Sequence, residues 1–196
     1  MKESFLFLAE GFEEIEALST VDILRRAGLP VRTVSITSSP MVTGAHGVTV
    51  KADVVYDATL FADPAWLILP GGMPGATNLR NFPPLEGLLK QQFESEKGMI
   101  AAICAAPAVV LGTEGLLEGR QATCYPGFEA DLKGAQYIDT DVVTDDKFVL
   151  ANGPGSAVKF ALAIVAKEMG EEKSQAVASG MLLYPTSEEN PDNLFG

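Results

Sequence analysis

One histidine, His46, and two cysteines, Cys104 and Cys124, are all that this 196-residue chain offers of those residue types. A lone histidine removes most zinc-ligand sets and the Ser-His-Asp arrangement of hydrolases. Two cysteines in a chain of this size do not make a disulfide framework. Cations are scarce as well: 14 Lys and Arg stand against 26 Asp and Glu, for a formal net charge of −12. Scattered and outnumbered, they argue against nucleic acid and against an anionic membrane surface as partners. Long apolar runs are also missing. The opening "MKESFLFLAEGFEEIEA" has only a short apolar run before Glu10, too short for the core of a secretory signal. The uncharged stretch "MIAAICAAPAVVLG" (99–112) is short for a membrane span and is broken by Pro107. The expectation is a soluble protein of a reducing compartment, cytoplasmic in location.

What is present suits a single well-cored domain over residues 1–196, with 47% hydrophobic residues and neither a repeat nor a linker. The pattern alternates. "SFLFLA" (4–9) reads as a strand. Residues 13–28 place Ile15, Leu18, Val21, Ile23, Leu24 and Ala27 on helical spacing, with acids in the first turn, Arg25 and Arg26 in the last, and Gly28 closing. "PVRTVSI" (30–36) is a second strand, so the chain opens as a parallel β-α-β unit. Residues 44–53 read as a turn feeding a strand or hairpin arm. "AWLILPGG" (65–72) has the near-continuous apolar character of a central parallel strand. A helix over 83–98 follows, with Pro near its start and Gly98 at its end. "MIAAIC" (99–104) is another buried strand, and "AAPAVVLG" starts a helix. Residues 148–170 give a strand, a Gly-Pro-Gly turn and a helix closed by Gly170. The tail, from about 184, is polar and reads as a surface segment. The fold class is a three-layer flavodoxin-like α/β sandwich with a mostly parallel central sheet.

Ligands of such sheets bind at the C-terminal ends of the strands, where "AEGFEEIE", "LPGGMPGA" and "ICAAP" fall. Cys104 stands where a buried strand turns into a helix between small alanines, the layout of a nucleophile elbow. A helix N-terminus there favours thiolate over thiol. Taken alone, however, a buried filler cysteine fits the local pattern equally well. The "PGG" motif can be a tight loop or can aim the Gly72 amide at an oxyanion. Glu13, Glu14 and Glu16 are ordinarily solvent-facing residues that complement a helix dipole. A Glu beside a Cys has its own use: two groups that both prefer to be anionic cannot both ionise cheaply, so one keeps its proton.

"EGFEEIEA", "LPGGMPGATNL", "AAICAAPAVVL" and "ANGPGSAVKFALAIV", in this order, resemble the ThiJ/PfpI superfamily of class I glutamine amidotransferase-like fold, from Phe5 to about Met181. The likeness is to the branch of the parkinsonism-associated redox and deglycase protein and its bacterial relatives. It implies a homodimer with Cys104 as the reactive cysteine, Glu16 as the acid that touches it, and Gly72 and Ala105 as the oxyanion-binding amides. Family members that work as peptidases or amidotransferases place a histidine in the stretch matched by "ATCYPGF" (122–128). Here Tyr125 stands at that position, which argues against both activities and leaves it as a substrate-site hydrogen-bond donor. His46, in "TGAHGV", lies in a loop that approaches the site in related chains. Cys124 is a possible resolving thiol for an oxidised Cys104.

Two functions follow from the likeness. One is a cofactor-independent, metal-free enzyme of glyoxalase III or deglycase type, acting on a small aldehyde or a glycated substrate. The alternative is a redox sensor or chaperone-like stress protein that uses oxidation of Cys104 without turnover.

Overall fold

The computed structural model describes residues 1–183, so the tail expected from about 184 lies outside the described residues. In chain order the elements are β1 (Ser4–Leu8), α1 (Glu14–Ala27), β2 (Val31–Ser35), β3 (Met41–Thr43), β4 (Thr49–Lys51), β5 (Val54–Val55), β6 (Trp66–Leu69), α2 (Gly75–Arg80), α3 (Pro83–Glu94), β7 (Met99–Ile103), β8 (Gln121–Ala122), β9 (Gln136–Tyr137), β10 (Val142–Thr144), β11 (Phe148–Ala151), α4 (Ala157–Met169) and α5 (Glu171–Gly180). Seven strands form the main sheet in the order β10-β11-β7-β6-β1-β2-β5. Every pairing in it is parallel except the edge pair β10–β11. The three-layer sandwich with a mostly parallel sheet is therefore what the chain forms.

Strand periodicity divides the core in two. In β1, Leu6 and Leu8 face the layer that holds Ile23 and Leu24 of α1 and Phe160 and Ile164 of α4. Phe5 and Phe7 face the opposite layer, with Leu85 and Leu89 of α3. Alternate residues of one strand thus serve both faces, and this is why the central strands read as unbroken apolar runs. Helix α1 starts where Glu13 accepts a hydrogen bond from the Glu16 N–H at 2.9 Å, and it stops at Gly28 (φ 84°). Only glycine takes that left-handed cap without strain.

The expected boundaries mostly hold, with three differences. Helix α3 ends at Glu94 rather than Gly98, because Ser95 turns the chain out of the helix. Gly98 instead lies so close to Gln92 that a Cβ would stand 2.5 Å from the Gln92 carbonyl. The segment after Cys104 is a π-helix, Pro107–Gly112, and not an ordinary α-helix start. All six of its residues are buried, so packing sets its geometry over local preference. The short α2 and the weakly amphipathic α5, which buries only Ser174 and Val177, carry too little periodicity to be seen in the sequence.

Leu24 is fully buried. Leu24→Ala is expected to cost about 2–5 kcal/mol, while Gly28→Ala, whose Cβ would meet nothing within 4 Å, should cost about 1 kcal/mol through its backbone alone. Urea unfolding midpoints of the two variants check this ordering.

Candidate active site

The loops after β1, β6, β7 and β11 meet at the C-terminal edge of the sheet, and Cys104 sits among them. Its backbone is left-handed (φ 66°), a conformation a non-glycine residue holds only where its surroundings impose it. Two hydrogen bonds do so: the Cys104 N–H donates to the Ala151 carbonyl at 2.9 Å, and the Tyr125 N–H donates to the Cys104 carbonyl at 2.8 Å. This is the strained strand-to-helix turn of a nucleophile elbow. The side chain is nonetheless only 7% exposed, so the elbow aims the sulfur without lifting it into solvent.

Glu16 is fully buried on the first turns of α1 and reaches this sulfur. The Gly71 N–H donates to Glu16 Oε2 at 2.7 Å, while Oε1 has no conventional hydrogen-bond partner. A Cβ on Gly71 would stand 2.6 Å from Cys104 Cβ and 2.9 Å from Glu16 Oε2. Carboxyl and thiol can meet only because residue 71 is glycine, a role not visible in the "PGG" motif alone. Gly72 takes φ 86° with its amide on the Cys104 sulfur, joined there by the Ala105 amide. Glu16, Gly72 and Ala105 are thus all brought to Cys104.

The electrostatics differ from the simple helix-terminus expectation. Burial raises the Glu16 carboxyl to about 7, with the Gly71 amide pulling the other way. Burial and the Glu16 charge push the Cys104 thiol up to about 12, against the Gly72 and Ala105 amides. The thiol of this pair is not depressed by a helix N-terminus; the helix there is a buried π-turn, and burial, followed by the charge of the neighbouring acid, dominates. The two groups are coupled: the first proton leaves the pair near 7, and the single charge it leaves behind holds the second proton on.

The other acids of "EEIE" are not solvent-facing either. Glu13 caps α1, and Glu14 is buried against the 44–48 loop. Burial works against the Glu14 carboxylate, but hydrogen bonds from the His46 ring (2.9 Å) and from the His46 and Val48 N–H groups outweigh it and lower its pKa. The same contact raises the pKa of His46, whose side chain is 71% exposed. His46 therefore pairs with Glu14, and among the described residues no hydrogen bond joins it to Cys104. Glu13, Glu14 and His46 offer ligand atoms within 4.8 Å of one another, the one grouping among the described residues able to take a metal ion. Each of its carboxylates already has a structural use.

Cys124 is buried in the opposite core layer from Cys104, and both cysteines are free. Burial pushes its thiol up to about 12. Beside the elbow opens a pocket of about 420 Å³, lined by Tyr125, Asp141, Asn152 and the Gly153–Ser156 turn. The Tyr125 ring lies against Gly153, where a Cβ would stand 3.2 Å away. Asp141, Asn152 and Ser156 had no distinguishing pattern in the sequence beyond the Gly-Pro-Gly turn that ends β11.

A parallel α/β sandwich with a cysteine at a strained elbow and a buried acid against it defines a class of protein. Residues 2–167 match the DJ-1/PfpI family. Protein DJ-1 homolog B of Arabidopsis thaliana is 36% identical over 94% of this chain, which spans 42% of the plant protein. Glutathione-independent glyoxalase DJR-1.2 of Caenorhabditis elegans is 36% identical over 89% of this chain and 92% of its own. The solved structure of oxidized Toxoplasma gondii DJ-1 superposes with a TM-score of 0.89 at 37% identity, covering 94% of this chain and 100% of that one. The chain belongs to the DJ-1/PfpI family. Among the described residues no helix is long and apolar enough to cross a membrane.

The raised Glu16 pKa has a stability consequence. Its folded-state value, about 7, exceeds the unfolded value of 4.5, so its contribution is fully present below about 4.5 and is lost as pH rises through 7. Glu16→Gln removes this dependence. From pH 4.5 to 8 the stability difference between the two proteins should move in favour of the glutamine variant by up to roughly 3 kcal/mol. Urea unfolding at the two pH values measures it, and parallel curves would contradict it.

Proposed function

We propose that this protein is a cofactor-independent enzyme converting small 2-oxoaldehydes to hydroxy acids, with Cys104 as nucleophile and Glu16 as proton carrier. The observation that carries the reading is the contact of the buried Glu16 carboxyl with Cys104 at its strained elbow, where the Gly72 and Ala105 amides also point. In the reactive form the proton is on Glu16 and the charge on sulfur, where the Gly72 and Ala105 amides point. The sulfur adds to the aldehyde carbon of methylglyoxal, forming a C–S bond and, after protonation of the oxygen, a hemithioacetal. The Glu16 carboxylate then takes the proton from that carbon and returns it to the neighbouring one through an enediol. This leaves a lactoyl thioester, which water cleaves to lactate and free Cys104. No net oxidation or reduction occurs. Early glycation adducts, the deglycase substrates, would use the same groups. Tyr125, on the pocket wall, serves in this reading as a donor to substrate, and the lack of a histidine base beside it speaks against peptidase and amidotransferase chemistry.

The glyoxalase name of the nematode relative supports this reading. A homodimer is part of it, and exposed Ile15 and Leu18 on α1 supply apolar surface for a second copy. A cytoplasmic location accompanies it. The alternative, a redox sensor, is favoured by the same constellation, since a protonated Glu16 and two amides would also stabilise a Cys104 sulfinate. The two separate by turnover. Lactate formation from methylglyoxal should fall by at least about 100-fold in both Cys104→Ser and Glu16→Gln. If wild type is no faster than Cys104→Ser while peroxide oxidises Cys104 selectively and stoichiometrically, the sensor reading stands instead.

A further inference from the structure

Helix α1 opens on two glutamates that are nearly covered and have no lysine or arginine paired with them. The Glu13 and Glu14 side chains are 8% and 10% exposed, and among the described residues the His46 imidazole is the only basic group paired with either. That ring is 71% exposed and positive only when protonated, which makes it a weak counter-ion for two carboxylates taken out of water.

The two acids are presented in the same way. One oxygen of each is held by backbone: Glu13 Oε2 accepts from the Glu16 N–H at 2.9 Å, and Glu14 Oε1 accepts from the His46 and Val48 N–H groups at 2.8 and 3.3 Å. The other oxygen of each faces the imidazole. Glu14 Oε2 lies 2.9 Å from His46 Nδ1, and Glu13 Oε1 lies 3.7 Å from it, too far for a hydrogen bond. Glu13 Oε1 therefore has no hydrogen-bond partner among the described residues, although its side chain is more than nine-tenths buried and aims at the ring. The 44–48 loop is shaped to this arrangement: a side chain on Gly44 would overlap the Glu14 carboxylate, and the Ala45 N–H donates to the Phe12 carbonyl at 2.8 Å.

Ligand atoms about 2.1 Å from one ion stand roughly 3 to 3.5 Å from each other. The two separations from His46 Nδ1 lie close to that spacing, and all three ligand atoms lie within 4.8 Å of one another, so small side-chain shifts bring them onto one ion. Hydrogen bonds to the far oxygens are what orient ligating carboxylates in metal sites. One imidazole with two carboxylates suits borderline divalent ions such as Zn2+, whereas Mg2+ and Ca2+ prefer oxygen alone.

We propose that Glu13 Oε1, Glu14 Oε2 and His46 Nδ1 form a binding site for a divalent transition-metal ion of the Zn2+ type, with water completing the coordination on the open side of His46. The ion ties the 44–48 loop to the start of α1 and takes no part in the chemistry of Cys104. The proposal therefore stands apart from carbonyl turnover.

Calorimetric titration of the tag-free protein with Zn2+ tests it, and one ion per chain is expected. His46→Ala and Glu13→Gln should each weaken binding by at least about tenfold. The glutamine keeps an oxygen to cap α1, and thermal unfolding without metal shows that both variants fold. Zn2+ should raise the unfolding midpoint of the wild-type protein and move that of the variants much less, because the ion binds the folded chain. Cys104→Ser should bind Zn2+ as tightly as wild type, which separates this site from the thiol. Mg2+ at the same concentration should not compete. No binding of Zn2+, an unchanged affinity in either His46→Ala or Glu13→Gln, loss of binding in Cys104→Ser, or equal uptake of Mg2+ would overturn the proposal.

Discussion

A carboxyl group taken fully out of water beside a thiol, with no cation to neutralise either, constrains everything around it. Two negative charges are costly there, so the pair gives up its first proton near 7 and resists losing the second. The surrounding backbone is arranged to allow this contact. Gly71 gives up its side chain so that sulfur and carboxyl can meet, Gly72 turns through a left-handed conformation to present its amide, and Cys104 itself holds a strained φ. These demands bear on three different loops. The parallel sheet satisfies them together because it ends β1, β6 and β7 at the same edge, where their loops converge.

The acid-rich start of α1 illustrates how burial changes the meaning of a residue. On a solvent-facing helix, three glutamates in the first turn would serve only the dipole. Here each has a different task set by its neighbours: Glu13 caps the helix, Glu14 anchors the 44–48 loop through backbone amides and His46, and Glu16 faces sulfur. The division of labour follows from helical geometry, since residues 13, 14 and 16 point in different directions around one turn.

Much of this was legible in the sequence. Continuous apolar strands and glycine stops disclose the sandwich, and the family resemblance carried by the ordered motifs implies that Cys104, Glu16, Gly72 and Ala105 come to one place. Other features depend on contacts that no local pattern encodes. The π-turn after the elbow comes from complete burial of Pro107–Gly112, which periodicity cannot distinguish from an α-helix. The need for glycine at 71 comes from two side chains distant in sequence, Glu16 and Cys104. The sign of the thiol shift is another such case: a helix start after Cys104 suggests a lowered value, whereas burial of the sulfur, with the Glu16 charge adding to it, raises it. Asp141, Asn152 and Ser156 become a set only when β10 pairs with β11 and brings them to one wall.

The most direct test of the shared-proton account is the pH dependence of Cys104 alkylation by iodoacetamide in the wild-type protein and in Glu16→Gln. The account predicts that the wild-type rate rises with a midpoint near 7, the first ionisation of the pair. In Glu16→Gln, where burial acts on the thiol alone, the midpoint should move above the ordinary thiol value of about 8.5. Identical midpoints in the two proteins would contradict it, because the sulfur would then ionise without reference to Glu16.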